Sequence, residues 1–182
     1  MVGLWPAGWA PACAGRLPTA TAAPLILSVA VPDALQRAAE AVRGVHAPEA
    51  AARTPAHLTL FRHLPGLELR ALVSDMRQAM AGEAPTFRVQ LPKAWNGRWV
   101  APVGAPGLDA LRAELAQRWH GLLAPGDLAH PHLHISLSTG RSAPPALPEG
   151  PWRARGLLLW AHQPDERGGP FWTPLVALAF RG

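Results

Sequence analysis

Pro55-Ala56-His57-Leu58-Thr59-Leu60-Phe61 alternates polar and apolar side chains at the period of a β-strand. In that conformation Leu58 and Leu60 turn to one face, and His57 and Thr59 to the other. An imidazole that exchanges protons near neutral pH then stands beside a hydroxyl that can donate to an anion oxygen. Later in the chain, Leu133-His134-Ile135-Ser136-Leu137 repeats the frame of apolar, His, apolar, hydroxyl, apolar, with the histidines 77 residues apart. One His-x-Thr describes the polar face of any half-buried strand. Two copies in the same apolar frame predict two strands that bring paired imidazoles and hydroxyls to one site.

Working outward, residues 25–31 are rich in aliphatic and β-branched side chains and predict a strand. Pro32 suits the start of a helix reaching about Arg43, with Leu35, Ala38, Ala39 and Val42 on its inner face. Residues 44–54 are expected as a loop before the first motif. A second helix is expected over 67–80, its inner face carrying Leu69, Leu72, Val73, Met76 and Met80. Strands at 86–91 and 98–103 flank the turn-prone Asn96-Gly97. A third helix over 108–123, ended by Pro125-Gly126, leads into the second motif strand at 132–138. Pro144, Pro145, Pro148 and Pro151 exclude a long helix from 139–151. Strands at 152–161 and 172–180, around a polar turn at 165–169, are expected to complete an antiparallel meander with the second motif strand. Strands outnumber helices, which favours an α+β class. Each half offers a helix and a His-hydroxyl strand, a coarse internal echo.

Composition narrows the function classes. The 182 residues suffice for one domain with a real core, and hydrophobic residues make up 49%. The formal charge is +5 and arginine supplies most of it; its planar fork matches phosphate oxygens, which favours a polyanionic or phosphorylated partner. Cys13 is the single cysteine, so an internal disulfide and a thiolate metal cluster are excluded, and a reducing, cytoplasmic setting is expected. No apolar run approaches the about 20 residues that span a bilayer. Residues 1–22 hold Trp5, Pro6, Trp9, Pro11, Cys13 and Pro18 without the pattern of a signal peptide, and are expected as a disordered tail ahead of one domain at 23–182.

The two motifs resemble the paired His-x-Thr/Ser signature of the 2H phosphoesterases, and among them the bacterial 2′-5′ RNA ligase-like proteins. The stretch from Pro55 through Arg62-His63-Leu64-Pro65 looks like the first motif of one subgroup. The helix at 108–123 and Gly168-Gly169-Pro170-Phe171-Trp172 extend the likeness, which covers about residues 24–182. The resemblance implies a bilobal α+β fold with pseudo-twofold symmetry: two small antiparallel sheets with flanking helices around a central cleft. It implies a cofactor-free and metal-independent enzyme hydrolysing 2′,3′-cyclic phosphate or 2′-5′-linked nucleotide or RNA ends, and a monomer is expected. Two departures stand out. The family's second motif begins Pro-His, which matches Pro131-His132 but puts His134 where a hydroxyl belongs. Taking His134-Ile135-Ser136 restores the hydroxyl and is preferred, leaving His132 as a third imidazole on the same face. A helix that often follows the second motif is replaced by the proline-rich 143–151.

Opening a cyclic phosphate needs a base to take a proton from water and an acid to protonate the leaving ribose oxygen. Two histidines with ordinary pKa near 6.5 can fill both roles. His57 and His134 are thus the expected catalytic pair, with their base and acid roles left open. The hydroxyls of Thr59 and Ser136 are expected to grip the non-bridging oxygens, helped by His132 and Arg62. Arg62, Lys93 and Arg141 are the basic side chains expected nearest the cleft. Two rival readings remain. His130, His132 and His134 alternate and could hold a metal on one strand face, although the next carboxylate, Glu149, lies beyond the prolines. A non-catalytic RNA or nucleotide binder would instead stack bases on Trp95, Asn96, Arg98 and Trp99, unless those tryptophans pack the junction of the lobes.

Overall fold

Six consecutive buried residues, Leu25–Ala30, form strand β1. Their continuous apolar run follows from burial on both faces, with helices on one side and a tryptophan cluster on the other. The computed structural model describes residues 2–10, 18–129, 132–163 and 171–181. After β1 come α1 (Asp33–His46), α2 (Pro48–Arg53), β2 (Leu58–Leu64) and α3 (Leu69–Ala79). The second half runs β3 (Thr86–Val89), β4 (Lys93–Trp95), β5 (Arg98–Gly104), α4 (Pro106–Arg118), α5 (Pro125–Leu128) and β6 (His134–Ser138). It ends with β7 (Trp152–Arg153), β8 (Gly156–His162) and β9 (Trp172–Ala179).

The strands follow the order β7-β3-β5-β6-β2-β1-β8-β9, with β4 added to β5 and every pairing antiparallel. Two arcs of strands, β7-β3-β5-β6 and β2-β1-β8-β9, meet at a single residue pair, Leu58↔Ile135. Each inner pair is connected in the same way, β1-α1-β2 in one half and β5-α4-β6 in the other. The echo in the sequence is therefore a pseudo-twofold in space, and both motif strands sit at its centre. The helices bury Leu35, Leu72, Met76, Leu108 and Leu115 against Leu27, Leu58, Leu60 and Phe61. Trp119 joins the layers, its Nε1 donating to Asp75 at 2.9 Å and its ring meeting Phe61 at 5.2 Å. Each such fully buried large side chain contributes about 1.5–3 kcal/mol.

Several expectations are corrected. Residues 44–54 are no loop: α1 runs to His46 and α2 follows, because buried Arg43 donates to the Thr54 carbonyl at 2.8 Å and the Ala50 carbonyl at 3.2 Å. The hairpin over Asn96-Gly97, whose φ angles are 48° and 73°, joins β5 to the added strand β4, while β3 pairs with β5 farther along at Arg88↔Gly104 and Val89↔Val103. Pro125 opens α5 instead of ending α4, which stops at Arg118, leaving Leu122 exposed. The expected strand at 152–161 is split: Trp152–Arg153 joins β3, and Gly156–His162 joins β1. The meander is thus confined to β8 and β9, while β6 pairs with β5 and β2. Where the first residues are described they are not a free tail: Trp5 and Trp9 lie edge-on to Trp160 at 4.7 and 6.2 Å. Cys13, His130, Pro131, the turn at 165–169 and the Gly168-Gly169-Pro170 stretch lie outside the described residues.

Candidate active site

Leu58 and Ile135 point into the core, so their neighbours point the other way. The register of that pair sets Thr59 across from His134 and Ser136 across from His57. Each imidazole faces the hydroxyl of the opposite motif. All four line a cleft of about 570 Å³, together with Arg62 and His132, so the six expected site residues come together. The cleft exists because β2 and β6 part beyond their one pair, and the freed backbone groups of β2 are taken by α4 and α5. The Asp127 carboxylate accepts the N–H of Arg62 at 2.9 Å and of His63 at 2.8 Å. Arg112 donates Nε to the Leu60 carbonyl at 3.1 Å, and Nη2 to the carbonyls of Asp127 at 2.5 Å and Ala129 at 3.0 Å. Both side chains are buried, at 6% exposure for Arg112 and 3% for Asp127, and each is satisfied by these partners.

The two histidines are held alike. The Nδ1 of His57 lies 2.7 Å from the Pro55 carbonyl, and the Nδ1 of His134 lies 2.6 Å from the His132 carbonyl. A carbonyl only accepts, so Nδ1 carries the proton and Nε2 presents its lone pair in the neutral ring. The shared bond to the second residue back makes His134 the counterpart of His57, and puts His132 in the place of Pro55. Each ring also has a tryptophan beside it, Trp172 at 4.3 Å from His57 and Trp95 at 4.6 Å from His134. Burial pushes the His57 pKa down to about 4; the Pro55 carbonyl opposes this, and the positive charges of Arg43, His134 and Arg62 add to it. The His134 pKa is also lowered, first by burial, then by Arg62, Arg98 and His132, against the His132 carbonyl. Both shifts favour the neutral ring in the free protein.

Two exposed guanidinium groups, Arg62 and Arg98, reach the cleft, and among the described residues neither pairs with a carboxylate. The cleft is thus rich in uncompensated positive charge. Lys93 lines an adjoining groove instead, and Arg141 lines neither. Trp95 lines the cleft rather than filling a core, whereas Trp99 does not reach it. His132 precedes β6, so the expected strand face of alternating imidazoles begins only at His134. No group of three or more His, Cys, Asp or Glu is placed to hold a metal ion among the described residues. No helix among them is long and apolar enough to cross a membrane. Arg112, Asp127 and Trp172 are among the site residues that sequence reasoning missed; the partners of the first two on β2 lie 52 to 65 positions away and leave no local pattern.

The family described as the 2′-5′ RNA ligase superfamily matches residues 31–163 of the chain. No curated protein matches it by sequence. Among solved structures, TT0787 of Thermus thermophilus is 23% identical with a TM-score of 0.64, over 87% of this chain and 98% of that one. E. coli LigT complexed with 3′-AMP is 24% identical with a TM-score of 0.57, over 88% and 99% of the two chains. E. coli LigT complexed with ATP is 22% identical with a TM-score of 0.58, over the same shares. These structural likenesses establish a common fold.

Proposed function

We propose that this chain, which belongs to the 2′-5′ RNA ligase superfamily, hydrolyses 2′,3′-cyclic phosphate or 2′-5′-linked ends of nucleotides or RNA, without a metal. The observation that carries this reading is the mirrored pair: two imidazoles, each with Nδ1 tied to a carbonyl two residues back and each facing a hydroxyl of the other strand. A phosphoryl group between the strands meets Nε2 of one ring from each side. One imidazole takes a proton from water as the water oxygen bonds to phosphorus. The bond from phosphorus to one ribose oxygen breaks, and the other imidazole delivers a proton to that oxygen. The product is a phosphate monoester beside a free hydroxyl.

In the free protein both shifts favour the neutral ring, so the acid gains its proton as the anionic substrate arrives. A phosphate brought against His134 offsets the charges of Arg62 and Arg98 that lower its pKa. His57 is held far below its ordinary value, which supports it as the base and His134 as the acid. Thr59 and Ser136 donate to the non-bridging oxygens as negative charge builds, and Arg62 and His132 add positive or donor groups at the rim. The E. coli LigT structure holding 3′-AMP supports a nucleotide as the ligand of this cleft. The test is incubation with nucleoside 2′,3′-cyclic phosphates in EDTA, with identification of the products. Monoester formation is expected. Turnover that stops in EDTA and returns with a divalent ion contradicts the metal-free mechanism, and tight 3′-AMP binding with no turnover favours a pure binder.

A further inference from the structure

The two ends of the cleft differ although the motifs mirror each other. At the His57 end, Trp172 backs the imidazole and Trp160 packs on Trp172 at 5.6 Å. Trp5 and Trp9 meet Trp160 edge-on, so tryptophans pack behind this end of the cleft. At the His134 end the cleft adjoins a second groove of about 450 Å³. Trp95, His132 and His134 line both spaces, and the groove adds Lys93, Gln90 and Asp109 above an apolar floor from β5. Lys93 is exposed and pairs with no carboxylate among the described residues. The groove falls within the about 300–1,000 Å³ usual for small-ligand sites. It combines a cation, a ring face, an amide and a carboxylate, which are the groups that recognise a phosphate, a base face and a base edge.

We propose that this groove is a second nucleotide subsite, so that an RNA end leaves the cleft past His134 and not past His57. The terminal cyclic phosphate lies between the two histidines. The phosphate joining the last two nucleotides sits on Lys93, and the neighbouring base lies beside Trp95 with its edge toward Gln90 and Asp109. The chain would then prefer oligonucleotide ends to free cyclic mononucleotides. This subsite rests on the phosphoesterase reading of the cleft, and a binding measurement separates the two.

The experiment compares kcat/KM for a nucleoside 2′,3′-cyclic phosphate with that for a trinucleotide ending in the same cyclic phosphate. The trinucleotide is expected to be better by about tenfold, the worth of one charge-assisted contact. Lys93→Glu should erase that advantage while leaving the mononucleotide within about twofold. Equal kcat/KM for the two substrates in the parent protein, or an equal loss on both in Lys93→Glu, overturns the subsite. Calorimetric titration with a mononucleoside 3′-phosphate and a trinucleotide 3′-phosphate decides the matter without turnover. Tighter binding of the trinucleotide, lost in Lys93→Glu, supports the groove even if no cyclic phosphate is opened; equal affinities overturn it even if hydrolysis is fast.

Discussion

Replacing Arg112 by methionine removes a side chain that links α4 in the second half to the backbone of β2 in the first. Its guanidinium satisfies three carbonyls, those of Leu60, Asp127 and Ala129, and stands 4.6 Å over the Phe61 ring. Losing a buried charged donor leaves each acceptor short of a partner at about 1–3 kcal/mol, though water entering from the cleft can recover part. The expected loss is about 3–5 kcal/mol, the range for breaking a buried charged contact and a large share of a typical domain's stability. Arg112→Lys keeps the charge but replaces a three-way fork with one ammonium, so it should recover only part. Urea unfolding followed by circular dichroism measures both variants. In native buffer, kcat/KM should fall for Arg112→Met in the fraction that remains folded, because the separation of β2 from β6 is no longer fixed. A loss below about 1 kcal/mol with unchanged kcat/KM would refute the claim that this arginine builds the cleft.

The remaining predictions concern the cleft itself. Thr59→Val and Ser136→Ala should each lower kcat on a cyclic phosphate by about 10²- to 10³-fold, as for other donors to a developing oxyanion; kcat insensitive to both would make them mere surface groups. His132→Ala should be milder than His134→Ala, since a side chain is lost but the carbonyl that holds His134 remains; the reverse order of rates assigns the second motif to His132. His57 has a folded pKa of about 4 against an ordinary 6.5, so the unfolded chain takes up its proton first and stability falls as pH drops from 6.5 toward 4. By pH 4 the loss amounts to about 3 kcal/mol, and urea unfolding should show it in the parent but not in His57→Gln.

Much of the architecture is legible because its pattern is local. The alternation around His57 and His134 foretells strands with imidazole and hydroxyl on one face, and the leucine spacing of 108–115 foretells α4. What the sequence hides is set by contacts between distant segments. Residues 44–54 are helical because Arg43 satisfies carbonyls in them, and nothing in their own composition announces it. The strand expected at 152–161 breaks because its two ends are claimed by strands in opposite halves, β3 and β1. The same holds at the site. The four motif residues could be named from spacing, yet Trp172 and Arg112 reach the cleft from elements whose partners only the fold selects. The choice between His132 and His134 also needed three dimensions, since two residues apart on a strand would share a face. In space, His134 repeats the bond from Nδ1 to the second carbonyl back that holds His57.

The claim at the centre is that two imidazoles of equal standing move the protons of one phosphoryl reaction. It is tested most directly by kcat/KM on a nucleoside 2′,3′-cyclic phosphate for His57→Ala and His134→Ala, measured side by side with the far-UV spectrum of each. Both should fall by about 10²- to 10⁴-fold, the usual cost of a lost general acid or base, with the fold intact. If either variant, correctly folded, keeps a rate within a fewfold of the parent, the two histidines do not form a catalytic pair.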